Sequence, residues 1–454
     1  MVFDMNNKLL YINIDGFSYS YLEQLQRYFP DGPFSKLVQM GLLFTQLRSG
    51  IVSITNPMQS AILCGAWSNR THNFYQHYDW ENACVVKHRR TCDAENVAQL
   101  FLRNGKTVAS IHQFMLENNP CMEGVKDRAY IKCPQEKSNA FQRLTILKDM
   151  IQGKPIASGD QAFVFETLPD FIAVYIDDID SLGHNNSYEM YPKRAEFSQR
   201  QQDIMERLNQ IGRCLLDIVQ CSRKTEQGRN LTILITTDHG MTPFWGKSDL
   251  SDIVRRLNEA GISASLPENR TEHTRVVALS YTIEVSLYCA PDITEHEKET
   301  IERVCRKLPY IQRCFGKAEM EEEYGFDPRG PEFLLSPQYG KHFYHRDIEE
   351  DTFAASHDSF HETSQHIFGL ILDGTIPANT LYAENTAVID LIPAITEEKF
   401  GLVLNPERRK LRQELRQLFT ERLTIKSQVP DLAAAMRKSN SQNGMTSRAS
   451  LKAL

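Results

Sequence analysis

Five separated stretches of this chain combine carboxylates, imidazoles and a hydroxyl in spacings that can do chemistry. Asp15 ends an apolar run in I-N-I-D-G-F, and Thr55 lies within S-I-T-N-P-M-Q-S-A-I-L-C-G. D-I-D-S-L-G-H spans Asp178 to His184, Asp238 and His239 are adjacent in T-T-D-H-G-M, and His357 sits in A-A-S-H-D-S-F. Two neighbouring ionisable side chains at the end of a buried run are costly to bury unless they are paired or bound to a metal. Within D-x-x-G-H, Gly183 permits a sharp turn that would bring Asp180 and His184 onto one ion. Thr55 reads as a turn residue before Pro57 that caps a helix over Met58 to Leu63.

The elements that must position these residues are legible as short apolar runs ending in polar groups. Such runs cover Lys8 to Asp15, Thr107 to His112, Phe171 to Asp178, Thr232 to Asp238 and His366 to Asp373, and read as buried parallel strands. Helical periods alternate with them: Glu95 to Asn104 is closed by Gly105, and Ile204, Leu208, Ile211, Leu215 and Ile218 recur at spacings of four and three. Strand and helix in alternation argue for an α/β fold with a doubly wound sheet flanked by helices. In such sheets chemistry collects at the carboxyl ends of strands, where Asp15, Asp178, Asp180 and Asp238 fall.

The pattern changes over 251–345, with a helix up to Gly261, alternating strands near Arg275 to Ser280 and Ile283 to Cys289, and a helix opened by the capping box Thr294 and Glu297. This segment reads as a small α+β cap inserted between two parts of the core, 1–250 and 346–426. A basic amphipathic helix is expected from Arg408 to Lys426, and the polar 427–454 is expected to be a disordered tail.

Composition excludes several classes. The 454 residues are 41% hydrophobic and 24% charged, as in soluble globular chains. A net charge of −7 lacks the basic balance of a dedicated nucleic-acid binder, so no nucleic-acid polymer is expected as a partner. Ten dispersed cysteines, an N-terminus reading as a first strand and the lack of a long apolar segment give the expectation of a cytoplasmic protein without a membrane span. Oligomeric state is not legible.

Taken in order, the motifs resemble the alkaline phosphatase superfamily, and most closely its nucleotide pyrophosphatase/phosphodiesterase branch, over about Lys8 to Leu404. The resemblance implies an alkaline-phosphatase-like core with a cap, and two divalent metal ions. One would be held by Asp15, Thr55, Asp238 and His239, the other by Asp180, His184 and His357. Imidazole and carboxylate without thiolate suit Zn²⁺, with Mn²⁺ as the alternative. Thr55 would be the catalytic nucleophile, since a lone hydroxyl is weak at neutral pH until an ion lowers its pKa. Two ions ~3.5–4 Å apart can also neutralise a phosphoryl group during in-line displacement. Among the late histidines, His357 is preferred to His361 and His366 for its distance ahead of the strand Ile367 to Leu372. The family carries glycine after this histidine, where this chain has Asp358.

The implied activity is hydrolysis of a phosphodiester or pyrophosphate bond in a small-molecule phosphoester. The alternatives are a phosphomonoesterase or phosphonate hydrolase of the same superfamily, or a non-catalytic binding protein on this scaffold. The sulfatase signature C-x-P-x-R is absent, and the lysines of phosphonoacetate hydrolases are replaced by S-I-H-Q-F. Asn56 is a candidate substrate-binding donor. The phosphate-binding Asn that the branch carries after the nucleophile helix is replaced within T-H-N-F-Y-Q-H-Y-D-W, its equivalent being Gln76 or His77, with His77 the candidate.

Overall fold

The computed structural model describes residues 7–88, 90, 92–117, 130–131, 139–185 and 191–419. In chain order the core contributes β1 (Lys8–Ile14), β2 (Leu42–Phe44), helix α1 (Thr55–Cys64), β3 (Val108–Ile111), β4 (Tyr130–Ile131), β5 (Phe171–Ile176), helices α2 (Asp178–Gly183) and α3 (Phe197–Ser222), and β6 (Leu231–Thr236). A short strand β7 (Thr242–Phe244) follows. The next segment holds α4 (Leu250–Glu259), β8 (Ala264–Ser265), β9 (Val276–Ser280), β10 (Val285–Cys289), α5 (Glu295–Arg306), β11 (Ile311–Gly316) and β12 (Phe333–Pro337). The chain returns through β13 (Ala354–Ser356), β14 (Gly369–Leu372) and β15 (Thr380–Tyr382).

Eight strands form one sheet in the order β15-β2-β14-β6-β1-β5-β3-β4. At its centre β1 pairs parallel with both β5 and β6. Alternate residues of these strands feed two different apolar clusters. Leu10, Ile12, Val174 and Ile235 pack on one face against Ile204, Leu208, Ile211, Leu215 and Ile218 of α3. Leu9, Tyr11, Ala173 and Leu234 pack on the other against Met58 and Ile62 of α1 and Ile392 and Ile395 farther along. Burial on both faces explains why these strands read as continuous apolar runs rather than as an alternation.

β14 corrects one expectation, because it runs antiparallel to both β6 and β2. Two-sided burial carries no information about direction. The route does: the chain reaches β14 from His357 at the carboxyl edge of the sheet with only the short helix Glu362–Gln365 between them. A parallel return needs a crossover of a dozen or more residues.

The segment after β7 forms its own sheet, in the order β8-β9-β10-β12-β11. One face carries Ile253, Leu257, Ile301 and Cys305 from α4 and α5. Its remaining contacts are with the core: Phe315, Met320, Phe326 and Leu334 pack on Ile51, Val52, Ile54 and Phe74. This segment is thereby joined by an apolar seam to the residues just ahead of α1.

The expected helix from Arg408 to Lys426 is also corrected. Among the described residues of that span the α-helix covers Gln413–Gln417 alone, and residues beyond 419 lie outside those described, as does the expected tail 427–454. Leu411 is exposed, whereas Arg412 is buried and donates to Asp390 and to the carbonyl of Gly65, the residue that ends α1. A guanidinium can be buried where each N–H finds an acceptor, and spacing along the chain does not reveal that. Among the described residues no helix is long and apolar enough to cross a membrane.

Candidate active site

Asp15 stands one residue past β1 and is fully buried. Gly16 follows at φ +80°, and a Cβ there would lie 3.0 Å from both the backbone N and Cα of Asp180. The turn therefore needs glycine twice over, for the left-handed backbone and for the approach of α2. Gly16→Ala is expected to cost ~1–2 kcal/mol from backbone strain alone, and more from displacing α2, read as a lowered urea midpoint; an unchanged midpoint would contradict this packing.

Asp180 and His184 meet for a reason other than the expected turn. Asp178–Gly183 is helical, so residues four apart lie on one face, and His184 Nε2 is 3.3 Å from Asp180 Oδ1. Gly183 instead makes room for a neighbour, since a Cβ there would meet Met241 Cε at 2.6 Å. Asp178 turns away and accepts from Tyr191 and the backbone N–H of Ala140.

Thr55 is the first residue of α1, whose N-cap is Ile54, and the expected capping bond is not made. Its hydroxyl lies 2.9 Å from His239 Nε2. That nitrogen is also 3.2 Å from Asp15 Oδ1 and 3.6 Å from Asp238 Oδ2. His357 stacks on His239 at 3.7 Å between ring centroids, and its Nε2 is 3.7 Å from Asp180 Oδ1. All seven side chains singled out in the sequence thus come together.

The three imidazoles share one arrangement. Nδ1 of His184 bonds the carbonyl of Ala355, Nδ1 of His239 that of Gly240, and Nδ1 of His357 that of Ser53. A carbonyl only accepts, so each Nδ1 carries a hydrogen and each Nε2 is the nitrogen left to face the carboxylates. Asp15 Oδ1, Asp180 Oδ1 and Asp238 Oδ2 are buried and have no hydrogen-bond donor. The ligand atoms of Asp180, His184 and His357 lie within 4.8 Å of one another, as do those of Asp15, Asp180 and His239. Undonated carboxylate oxygens and Nε2 lone pairs, without a thiolate, are a donor set that fits divalent zinc or manganese.

The electrostatics of the cluster agree with that fit. Burial, with Asp238 and Asp180 nearby, pushes the Asp15 carboxyl well up. Burial also opposes charge on Asp180, yet the imidazoles of His184, His357 and His239 hold it below its ordinary value. Burial opposes a charged His184 too, and the Asp180 carboxylate overrides it, raising that imidazole to about 9. His357 goes the other way, well below its usual value, through burial and the adjacent His239.

Several expected or competing residues stand elsewhere. His77 lies on the short strand Gln76–Asp79 and bonds His88 Nε2 at 2.9 Å, and none of its contacts is with the cluster. Gln76 donates to the carbonyl of Ser280. Asn73 reaches α1 instead, donating to Asn56 Oδ1 at 2.8 Å. The backbone N–H of Arg90 donates to the same oxygen, which identifies that end of Asn56 as the acceptor. His361 caps the helix Glu362–Gln365, and His366 bonds the carbonyl of Thr45.

Sequence reasoning passed over Asn73, Tyr175 and Gln365. The Tyr175 phenol donates to Asp15 Oδ2. Its signal was a lone hydroxyl at the carboxyl end of an otherwise aliphatic and aromatic strand. Gln365 donates to the carbonyls of Gly50 and Ser359 and to Ser53, and no local pattern announces it.

The family model described as type I phosphodiesterase / nucleotide pyrophosphatase matches residues 9–360. None of the curated protein sequences matches the chain. Among solved structures, murine ectonucleotide pyrophosphatase/phosphodiesterase 5 is similar at a TM-score of 0.61 and 12% identity, covering 88% of this chain and 96% of that one. The human counterpart gives 0.59 and 14%, with the same coverage. An inactive threonine-to-alanine variant of the murine protein in complex with AMP gives 0.59 and 12%, again over 88% and 96%. These likenesses extend the fold over nearly all of both chains.

Proposed function

Since the chain belongs to the type I phosphodiesterase / nucleotide pyrophosphatase family, we propose that it hydrolyses phosphodiester or pyrophosphate bonds of a small-molecule substrate with Thr55 as nucleophile and two divalent metal ions, zinc by preference. The observation that carries this reading is the Thr55 hydroxyl, 2.9 Å from His239 Nε2 at the first position of a buried helix, within a cluster of three carboxylates and three imidazoles. The inactivity of the murine relative's threonine-to-alanine variant is in keeping with a threonine nucleophile.

Asp15, Thr55, Asp238 and His239 would hold one ion and Asp180, His184 and His357 the other. Such ions would supply a lowered hydroxyl pKa and counter-charge for the phosphoryl oxygens. The chain's own residues do the rest. Thr55 Oγ1 attacks phosphorus, the alcohol or phosphate leaving group departs, and water hydrolyses the resulting phosphothreonine. Thr55 stands at the first position of α1, where the N–H groups of a helix start would favour the charge of a phosphoryl group. With its carbonyl end fixed by Asn73 and Arg90, Asn56 keeps its amide N–H to donate. A cleft of about 530 Å³ bordered by His184, Phe244, Tyr344, Lys193 and Arg346 offers room for an organic group.

A diester carries one charge fewer than a monoester and needs less positive charge beyond the two ions. Arg70 and Arg90, basic residues near α1, are tied to Glu407 and Glu117. The protein is therefore expected to turn over bis-p-nitrophenyl phosphate faster than p-nitrophenyl phosphate. A large preference for the monoester would move the reading to a phosphomonoesterase and leave the metal cluster untouched.

A further inference from the structure

Asp358 makes contacts that join the cap to one half of the cluster. It is buried, and its Oδ2 accepts three consecutive backbone N–H groups, from Thr282 and Ile283 at 2.8 Å and from Glu284 at 3.1 Å. These residues form the turn between β9 and β10. Its Oδ1 accepts the Ser356 hydroxyl at 2.7 Å. Three successive N–H groups aimed at one oxygen make a small anion-binding concavity, here filled by the chain's own carboxylate.

The strand so anchored, β13 with the residue after it, carries two of the constraints on the Asp180 side of the site. His357 precedes Asp358 directly. The carbonyl of Ala355, inside β13, fixes Nδ1 of His184. On its other side His357 is tied to the Ser53 carbonyl, and the Ser53 hydroxyl donates to the carbonyl of His357. The hydrogen bonds of the Asp358 carboxylate go to Thr282, Ile283, Glu284 and Ser356, and none goes to Asp15, Asp238 or His239.

We infer that Asp358 is a positioning residue, clamping the cap turn Thr282–Glu284 to β13 so that His357 and His184 present Nε2 to Asp180. This rests on the metal reading above. Partners that orient a metal-binding histidine typically change metal affinity by ~10–100-fold when removed. The clamp accounts for aspartate at a position where glycine, with no side chain, could make none of the four bonds.

The test is metal binding by chelator competition and calorimetry with Zn²⁺, below the unfolding temperature of each variant. Wild type is expected to bind two equivalents. Asp358→Gly is expected to keep one at wild-type affinity and to weaken the other at least ~10-fold. Asp358→Asn, which keeps an acceptor oxygen in the turn, is expected to restore that affinity to within about threefold of wild type. Retention of both equivalents unchanged in Asp358→Gly would overturn the inference alone, as would an equal weakening of both equivalents in folded protein, the mark of a merely structural role. Wild-type protein that binds no ion would overturn the metal reading along with it. If Asp358→Gly does not fold, Ser356→Ala takes its place: a selective weakening of one equivalent supports the clamp, and unchanged affinities overturn it.

Discussion

Thr55→Ala is expected to reduce kcat on bis-p-nitrophenyl phosphate by about 10³-fold or more while both metal equivalents stay bound. The size follows from removing a covalent nucleophile, a loss that the remaining electrostatic groups do not replace. Metal retention follows from the donor set, because Thr55 is one of four groups proposed for its ion and the other three are two carboxylates and an imidazole. Ala at the first position of α1 costs no capping bond, since none is made there. The buried helix therefore stays in place, and lost activity cannot be laid to unfolding. Thr55→Ser, which keeps a hydroxyl, should recover part of the rate. Acid quenching of wild type during turnover should trap a phosphoryl group on Thr55. Residual activity above a tenth of wild type in Thr55→Ala would remove threonine from the nucleophile's role.

Stripping the ions with a chelator is expected to abolish turnover and to lower Tm by roughly 10 °C at neutral pH. Any ligand that binds only the folded state stabilises it by about 4 kcal/mol when present at a thousand times its Kd. Two such ions, set against the unfolding entropy of a chain this long, give a shift of that order. The physical source is the set of buried carboxylate oxygens with no donor, Asp15 Oδ1, Asp180 Oδ1 and Asp238 Oδ2. Without ions their counter-charge is the proton on His184.

That substitution fixes the sign of the pH dependence. The His184 imidazole is raised to about 9 in the folded state, so its contribution to the stripped protein is complete below its unfolded value near 6.5 and is lost as pH rises through about 9. Asp15 has a raised carboxyl pKa, so ionising it also costs the stripped protein stability as pH rises above the unfolded carboxyl value. Both effects run the same way, and the gap in Tm between loaded and stripped protein should widen from pH 6.5 to 9. A chelated protein with the Tm of the loaded one would show that the cluster does not hold ions.

Much of this arrangement was open to reading before any coordinates. Runs such as Leu9 to Ile14 and Phe171 to Ile176 are too apolar to be half-exposed, and a chain that alternates them with amphipathic helices must stack the helices on both faces of a sheet. Polar residues ending those runs then fall on one edge. That reasoning placed Asp15, Asp178, Asp180 and Asp238 at one edge, whereas the grouping of Thr55, His184, His239 and His357 with them was what the resemblance to the phosphodiesterase branch implied. It could not give strand direction, so β14 was read as parallel. It also misjudged Gly183, whose role depends on Met241, and did not foresee the burial of Arg412 against the carbonyl of Gly65.

The sequence by itself determined which residue types were available and at which ends of the elements they fall, because hydrophobic period and chain stiffness act over a few residues. What only the tertiary structure decided are contacts between residues 17 to 304 positions apart: Asn73 on Asn56 in place of His77, the turn at Thr282 on Asp358, Tyr175 on Asp15, and Ser53 on His357. A hydrogen bond needs a donor within about 3 Å of an acceptor, and over such separations that distance is set by the packing of every intervening element. Ligand types are therefore written locally, whereas the atoms that aim them are chosen by the fold.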